Sequence, residues 1–467
     1  MTKPLRLPQF LGYASGDAAN NLAFAMSSMF LLIYYTDVVG ISAAAVGTMF
    51  LVVRFWDAFA DVFAGRVVDR TQTRWGKFRP FMLFGSLPLL LLSVAVFSVP
   101  GGLSDSGALV YAFVSYALLG LAYSLVNIPY GSMATAMTQR SDERAKLATF
   151  RVFGSNITIL MLALVVAPQI KASDDLQHSL TVTTLVFVVV GFALYLVTFL
   201  TAKEQVQRDV PKVSARQTID TLKQNRPLVM LCVSSLLFLT GMFALQTVAI
   251  FYARDVLGDA NYYIIITVVQ TVGTFLAAAF IPHFVRTIGK KRAYLSFGAV
   301  AIAGGVGLAV APASVPLVAF GFFFVLGVGL GGVNTLMWAL EADTVEYGEW
   351  KTGVRTEGTT YALFSFTRKM GQAIGGAAAA YTIGLGGYIA DAGAQPDSAL
   401  TAIRIAAGVV PAVVIGIALA IMVAYPLTES KFRDLVREVA QRRLARHAEE
   451  LGAAPAVVPA TSPGAKA

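Results

Sequence analysis

Twelve stretches of mostly apolar residues, divided by Gly, Pro and charge clusters, constrain this chain more than any other feature. A run of about 20 apolar residues is the length that crosses the hydrocarbon core of a bilayer as a helix. The runs fall near 11–38, 43–68, 78–99, 107–137, 144–169 and 179–201, and resume near 228–254, 261–285, 292–311, 316–343, 357–386 and 401–425. In lipid every backbone polar group must be satisfied within the segment, so such runs become helices. The sequence therefore predicts an all-α polytopic membrane protein with six spans on each side of a polar break.

Composition agrees. Only 13% of residues are charged and 56% are hydrophobic, against about a quarter charged in soluble domains. The formal net charge of +9 is not a nucleic-acid signal, because the basic residues gather in alternate connections. Arg70, Arg74, Lys77 and Arg79, then Arg140, Arg144 and Lys146, then Arg286, Lys290, Lys291 and Arg292, then Lys351 and Arg355 lie on one side. The intervening connections hold one lysine between them, which by the positive-inside rule predicts that both termini are cytoplasmic. The N-terminal MTKPLRLPQFLGYASGDAANN reads as an uncleaved lead into the first span. A lone Cys232 and three histidines without metal-ligand spacing leave no disulfide framework and no metal or catalytic cluster.

The break AKEQVQRDVPKVSARQTIDTLKQNRP reads as a hinge, and GKFRP after the second span echoes GKKRAY after the eighth. These suggest two pseudo-symmetric halves with a site between them. The expected divisions are residues 1–202 and 228–427 for the halves, 203–227 for the central loop and 428–467 for the tail. The tail's KFRDLVREVAQRRLARHAEELG reads as a short amphipathic helix on the cytoplasmic surface.

Ionisable groups inside a membrane are functional pointers. The first span carries Asp17, Asn20 and Asn21, suited to substrate contact or to an interfacial polar cluster. The second carries Arg54, Asp57 and Asp61, which share a helix face. Two carboxylates there need a proton, a cation or a nearby base; the alternative is a structural ion pair with Arg54 or with a base from another helix. The fourth span places Tyr123, Ser124, Asn127 and Tyr130 around Pro129, where a lost helix bond loosens the backbone. Arg151 is an anion partner or a snorkelling arginine. Trp338 lies well inside the tenth span and suits stacking on a sugar ring. Arg368 and Lys369 sit in the middle of the eleventh, and a buried Lys369 requires an anion: Asp17, Asp57, a carboxylate of the tenth span, or one on the substrate.

GRVVDRTQTRWGKFRP resembles the loop between helices 2 and 3 of major facilitator transporters, whose Asp and basic residues latch a closed state; Asp69 and Arg70 match it. YYTDVVG, RFWDAFADVFAGRVVDRTQTRWGKFRPF, NIPYGSM and ADTVEYGEWKTGVR resemble the glycoside–pentoside–hexuronide:cation symporters, a major facilitator branch. GDAANNLAFAM, YSLVNIPYGSMATAMTQ, MWALEADTVEYGE and YALFSFTRKMGQAIGG are most similar to its bacterial glucuronide carriers. The resemblance extends from the first span to YPLTESKF.

It implies the major facilitator fold and alternating access in a bacterial inner membrane. It places cation coupling on Asp57 and Asp61 with Ser124 nearby. Sugar contacts fall on Asn20, Asn21, Tyr123, Asn127, Arg151, Trp338 and Lys369. The melibiose-type pattern has an acid at the positions of Asn21 and Asn127, a Lys at Asn20, an Asn at Ala60 and a Trp at Gly131. Amides in place of acids remove repulsion toward an anionic sugar, with Lys369 and Arg151 as partners for its carboxylate. Losing an amide ligand at position 60 favours a proton over Na⁺. The expectation is proton-coupled symport of a β-glucuronide, sodium being the alternative ion, by a monomer with no resident cofactor and no nucleic-acid partner. An uncoupled facilitator and a membrane sensor are the other classes; an enzyme is disfavoured.

Overall fold

The computed structural model of the chain describes residues 4–138, 141–205, 224–353, 357–390, 392 and 394–450. The helices are α1 (Leu7–Ile33), α2 (Ala43–Arg70), α3 (Phe81–Val96), α4 (Asp105–Met137), α5 (Ser141–Ala172) and α6 (Leu176–Thr201), followed by α7 (Arg226–Val256), α8 (Tyr262–Ile288), α9 (Lys290–Val310), α10 (Pro316–Thr352), α11 (Glu357–Leu385) and α12 (Asp397–Val423). A further helix, α13 (Glu429–Glu450), follows, and no β-strand forms among the described residues. Most of the expected central loop, residues 206–223, and the end of the tail, 451–467, lie outside them.

Nine of the described helices are long and apolar enough to cross a membrane; α1, α3 and α11 fall short. The shortfall has different causes. The apolar part of α3 is short, whereas α1 carries Asp17, Asn20 and Asn21 and α11 carries Arg368 and Lys369. Such polar groups are tolerated at membrane depth only where they face protein or water. Both helices accordingly turn them inward.

The packing repeats itself. In the first six helices α1 lies on α5 and α6, α2 on α4, and α3 on α4 and α6. In the last six α7 lies on α11 and α12, α8 on α10, and α9 on α10 and α12. The two sets meet where α2 packs on α11, α5 on α8, and α1 on α7. Small residues permit the α2–α11 approach: a Cβ on Gly47 would stand 3.2 Å from that of Ala380. Above this seam the hydroxyls of Thr48 and Tyr381 are 2.6 Å apart.

The repeat is sharpest at the ends of α1 and α7. Tyr34–Val38 and Tyr252–Val256 are both π-turns. In each, the backbone N–H two residues past the aspartate (Val39, Leu257) donates to the tyrosine that opens the turn (Tyr34, Tyr252), at 3.1 and 3.0 Å. Gly40 and Gly258 then take φ of +80° and +86°, a region that glycine enters without steric cost. The expected GKFRP/GKKRAY repeat also has structural counterparts. Gly76 has φ +110° beside Glu204, whose carboxylate accepts the N–H groups of Lys77, Phe78 and Arg79 at 2.9, 2.7 and 3.2 Å. Gly289 has φ +81° beside Glu429.

The largest difference from the expected runs is at the end of α10. α10 continues past residue 343 to Thr352, because its last turns are held from outside the span. Lys290 Nζ bonds Asp343 at 2.6 and 2.8 Å, and Trp350 Nε1 donates to Glu438 of α13 at 2.8 Å. α13 docks on that end of α10, with Leu435 and Val439 buried.

Candidate functional site

Among the described residues, three ion pairs join charged side chains on the inner faces of α1, α2, α5 and α11. The first joins α5 to α1. Gly154, where a Cβ would come within 2.7 Å of the Ala14 carbonyl oxygen, lets α5 close on α1. Arg151, one turn earlier, then places Nε 2.7 Å from Asp17 Oδ1. Asn21 Nδ2 donates to the Asp17 carbonyl and to its Oδ2, at 2.8 and 3.2 Å. The anion beside Arg151 is thus Asp17.

The second lies within α2, where Arg54 Nη1 sits 2.9 Å from Asp57 Oδ2 and Nη2 donates to Tyr116 Oη at 3.3 Å. Asp57 Oδ1 and Arg54 Nε are buried with no hydrogen-bond partner. Both residues border a small cavity that Phe24, Ser28 and Tyr123 also line. Gly120 of α4 makes the room, since a Cβ there would stand 2.1 Å from Asp57 Oδ1.

The third crosses the seam. Asp61, one turn beyond Asp57, accepts from Ser124 Oγ at 2.7 Å and pairs through its other oxygen with Lys369 of α11. The anion of Lys369 is thus Asp61, which was not among the partners expected for it. One carboxylate ties α2, α4 and α11 together.

The remaining candidates divide. Asn20 is buried and turned into the first six helices, where Tyr195 Oη donates to its Oδ1 at 2.8 Å. Tyr123 stacks on Phe24 with centroids 5.3 Å apart, and Phe24 meets Phe243 of α7 edge-on. Asn127 is half-buried on α4 within one turn of Pro129. Trp338 keeps 39% of its surface exposed, beneath the guanidinium of Arg368 at 4.8 Å. Arg70 is exposed at the end of α2, and the side chain of Asp69 lies outside the described residues. Among the described residues no group of three or more His, Cys, Asp or Glu could hold a metal ion.

One cluster escaped the sequence reading. Arg254, in the π-turn of α7, reaches Asp37 in the π-turn of α1 at 2.6 Å. It also bonds Asp255 at 2.8 and 3.0 Å. Tyr388 bonds both Asp37 oxygens, at 3.0 and 2.8 Å, and Arg254 as well. Comparing YTDVVG with YARDVLG would have found it. It fastens the two sets at the face opposite the termini.

Two six-helix sets, joined at one face and bridged by an ion pair where α2 meets α11, define the architecture of the major facilitator type. Over 88% of this chain and 99% of the other, the structure matches a crystal structure of a mutant nucleoside transporter NupG with a TM-score of 0.66 at 13% identity. At that identity the likeness establishes the fold. The chain belongs to the MFS/sugar transport protein family, whose pattern matches residues 12–429. It is 46% identical over 449 residues to a glucuronide carrier protein homologue of Escherichia coli (strain K12), covering 95% of this chain and 97% of that one. It is 34% identical over 422 residues to an isoprimeverose transporter of Lactiplantibacillus pentosus, covering 88% and 87%. The resemblance read from the motifs is borne out. The protein is a multi-pass sugar transporter of the membrane, not an enzyme.

Proposed function

We propose that this chain is a proton-coupled symporter of β-glucuronides or related glycosides in a bacterial inner membrane. It works by alternating access as a monomer with both termini cytoplasmic. The observation that carries the reading is Asp61, whose carboxylate is shared between Ser124 of its own set and Lys369 of the other.

The chemistry follows from that sharing. A proton transferred to Asp61 converts the carboxylate to a neutral acid, and Lys369 loses its counter-charge. Lys369 then attracts an anion instead, which the carboxylate of a uronide supplies. Loading the sugar and loading the proton become one linked equilibrium. The ring sits near Trp338 and the hydroxyls fall to Asn21 and Asn127. Asp57 stays compensated by Arg54, with an unpartnered oxygen beside the cavity as a relay for the proton. In this scheme the Asp37–Arg254 pair belongs to the form that is closed at its face. Asp69 and Arg70 would latch the other face. The similarity to the E. coli carrier homologue supports the substrate class.

Sodium coupling is the second reading, favoured by the orphaned Asp57 oxygen, which a cation could take. Uptake of a labelled β-glucuronide into vesicles under an imposed proton gradient, compared with a sodium gradient, decides between them. Uphill uptake with the proton gradient alone is expected. Uptake driven only by sodium, or indifferent to both gradients, would overturn proton coupling.

A further inference from the structure

The residues that line the cavity beside Asp57 come from α1, α2 and α4, so its wall belongs to the first six helices. Two aromatic rings in and around that wall nevertheless rest on the second set. Phe24 of α1 stacks on Tyr123 and meets Phe243 of α7 edge-on, with centroids 6.4 Å apart and planes at 68°. Phe243 is backed in turn by α11, because a Cβ on Gly375 would stand 2.9 Å from its own Cβ. Two turns from Tyr123 along α4, Tyr116 also lines the cavity, and Phe50 of α2 packs on it at 5.6 Å. A Cβ on Gly376 would stand 3.4 Å from the Phe50 ring. Adjacent glycines of α11 thus seat both rings.

The Asp57 and Arg54 side chains border this cavity, each with one buried atom, Oδ1 and Nε, that has no partner in the protein. A charged group without its full set of hydrogen bonds is costly away from water. Whatever controls water at the cavity therefore controls the exchange of a proton at Asp57. A phenyl ring excludes water from what lies behind it. Contact with α7 and α11 holds both rings in place, and Phe243 and Phe50 are themselves buried.

We infer that α11 governs the access of water to Asp57 through two rings: Phe24, backed by Phe243, and Phe50, seated on Gly376, close the cavity while the sets are together and uncover it when α7 and α11 withdraw. The inference rests on the proposed alternating access and adds a residue-level link to it. α11 also carries Lys369, the partner of Asp61. One movement of α11 therefore takes the counter-charge from Asp61 and opens Asp57 to water. Phe24 and Phe50 are positioning residues in this scheme. They act through Asp57, by deciding when it can exchange a proton.

Ser27 lines the cavity, is buried, and donates to the Ala23 carbonyl of its own helix at 2.9 Å. Ser27→Cys in a Cys232→Ala background is therefore a reporter of access to the cavity. The measurement is the rate at which N-ethylmaleimide, a small membrane-permeant reagent, alkylates that cysteine in vesicles holding the full chain, with no sugar and no ion gradient. The reporter alone should react slowly. Phe24→Ala should accelerate alkylation at least tenfold, and Phe24→Leu, which restores apolar bulk, should return it close to the reporter rate. Phe243→Ala leaves the wall in place and removes its backing; it should accelerate alkylation too, which keeps the test decisive if Phe24→Ala fails to fold. An unchanged rate in Phe24→Ala or in Phe243→Ala overturns the inference. Equal acceleration by Phe24→Ala and Phe24→Leu would mark loosened packing, and overturns it as well. With no gradient applied these outcomes do not depend on the coupling ion, so uptake driven by sodium alone would overturn proton coupling and leave the two-ring seal standing.

Discussion

Asp37 and Arg254 close one face of the protein with an ion pair of 2.6 Å, each projecting from the π-turn that ends its helix. Only 4% of the Asp37 side chain is exposed, so the pair is a committed interaction and not a surface contact. Under the proposed alternating access it breaks in every cycle. Removing Arg254 leaves Asp37 and Asp255 buried without their cation, an imbalance of about 3–5 kcal/mol that opening to water relieves. Arg254→Ala should therefore shift the population toward the form open at this face. Cys232 is the sole cysteine and is buried, so a Cys232→Ala background with Ser28→Cys at the cavity wall reports opening. Labelling by a membrane-impermeant maleimide from that face should accelerate at least tenfold. An unchanged rate would remove Asp37–Arg254 from the gate.

Asp61 and Lys369 form an ion pair across the α2–α11 seam, and their side chains are 26% and 25% exposed. Partial hydration lowers what the pair contributes, to about 1–2 kcal/mol. The penalty of leaving either charge alone is larger than the value of the pair. Lys369→Gln should lower the thermal midpoint more than the double variant Asp61→Asn with Lys369→Gln does. Asp61→Asn alone should exchange sugar across the membrane yet fail to accumulate it. Additive shifts in detergent-solubilised protein, or uphill uptake by Asp61→Asn, would dissociate this pair from coupling.

These two bonds show what the sequence could and could not reveal. Helix number and position were legible because a bilayer converts apolar length directly into span. The polar groups that make α1 and α11 poor spans were legible for the same reason, as exceptions that need compensation. Their partners were not. Lys369 had four plausible anions by sequence, and the choice of Asp61 depends on which α2 residue faces α11 where Gly47 and Ala380 let the two approach. Asp57 took the local partner, Arg54 at i−3, which helix periodicity already offered. Asp37 was overlooked because it stands at a span end, where an acidic residue attracts no notice. Only the duplicated turn marks it. The extension of α10 depended on α13, and a charged stretch such as EADTVEYGEW gives no sign of what it will dock against.

Gly65 and Gly273 make opposite predictions from the same residue type. A Cβ on Gly65 in α2 would meet nothing within 4 Å, whereas one on Gly273 in α8 would stand 2.6 Å from the carbonyl oxygen of Phe324 in α10. Gly65→Ala should be neutral or stabilise by up to about 1 kcal/mol, the intrinsic advantage of alanine in a helix. Gly273→Ala forces α8 and α10 apart against backbone atoms, which costs about 1–3 kcal/mol. Thermal unfolding of the two variants should therefore bracket the wild type. A Gly273→Ala protein as stable as the parent would mean that the α8–α10 contact is looser than described.

Lys171 and Asp259 span the same face as Asp37 and Arg254, at 2.7 Å, but on the outside, with Lys171 half exposed. The Lys171 ammonium, then the Asn261 backbone N–H, holds the Asp259 carboxyl below the usual carboxylate range. A carboxyl depressed in the folded state contributes stability that is present above its unfolded pKa and is lost as pH falls through the folded one. Between pH 5 and 8 that contribution is constant, and an exposed pair of this kind is worth about 0.5 kcal/mol, screened further by salt. Asp259→Asn should leave the thermal midpoint nearly unchanged and its pH–uptake profile superimposable on wild type. A superimposable profile would exclude the Asp259 carboxyl as a source of pH dependence in that window. A profile displaced in Asp259→Asn would move the proton-sensing step to the surface and contradict the coupling scheme.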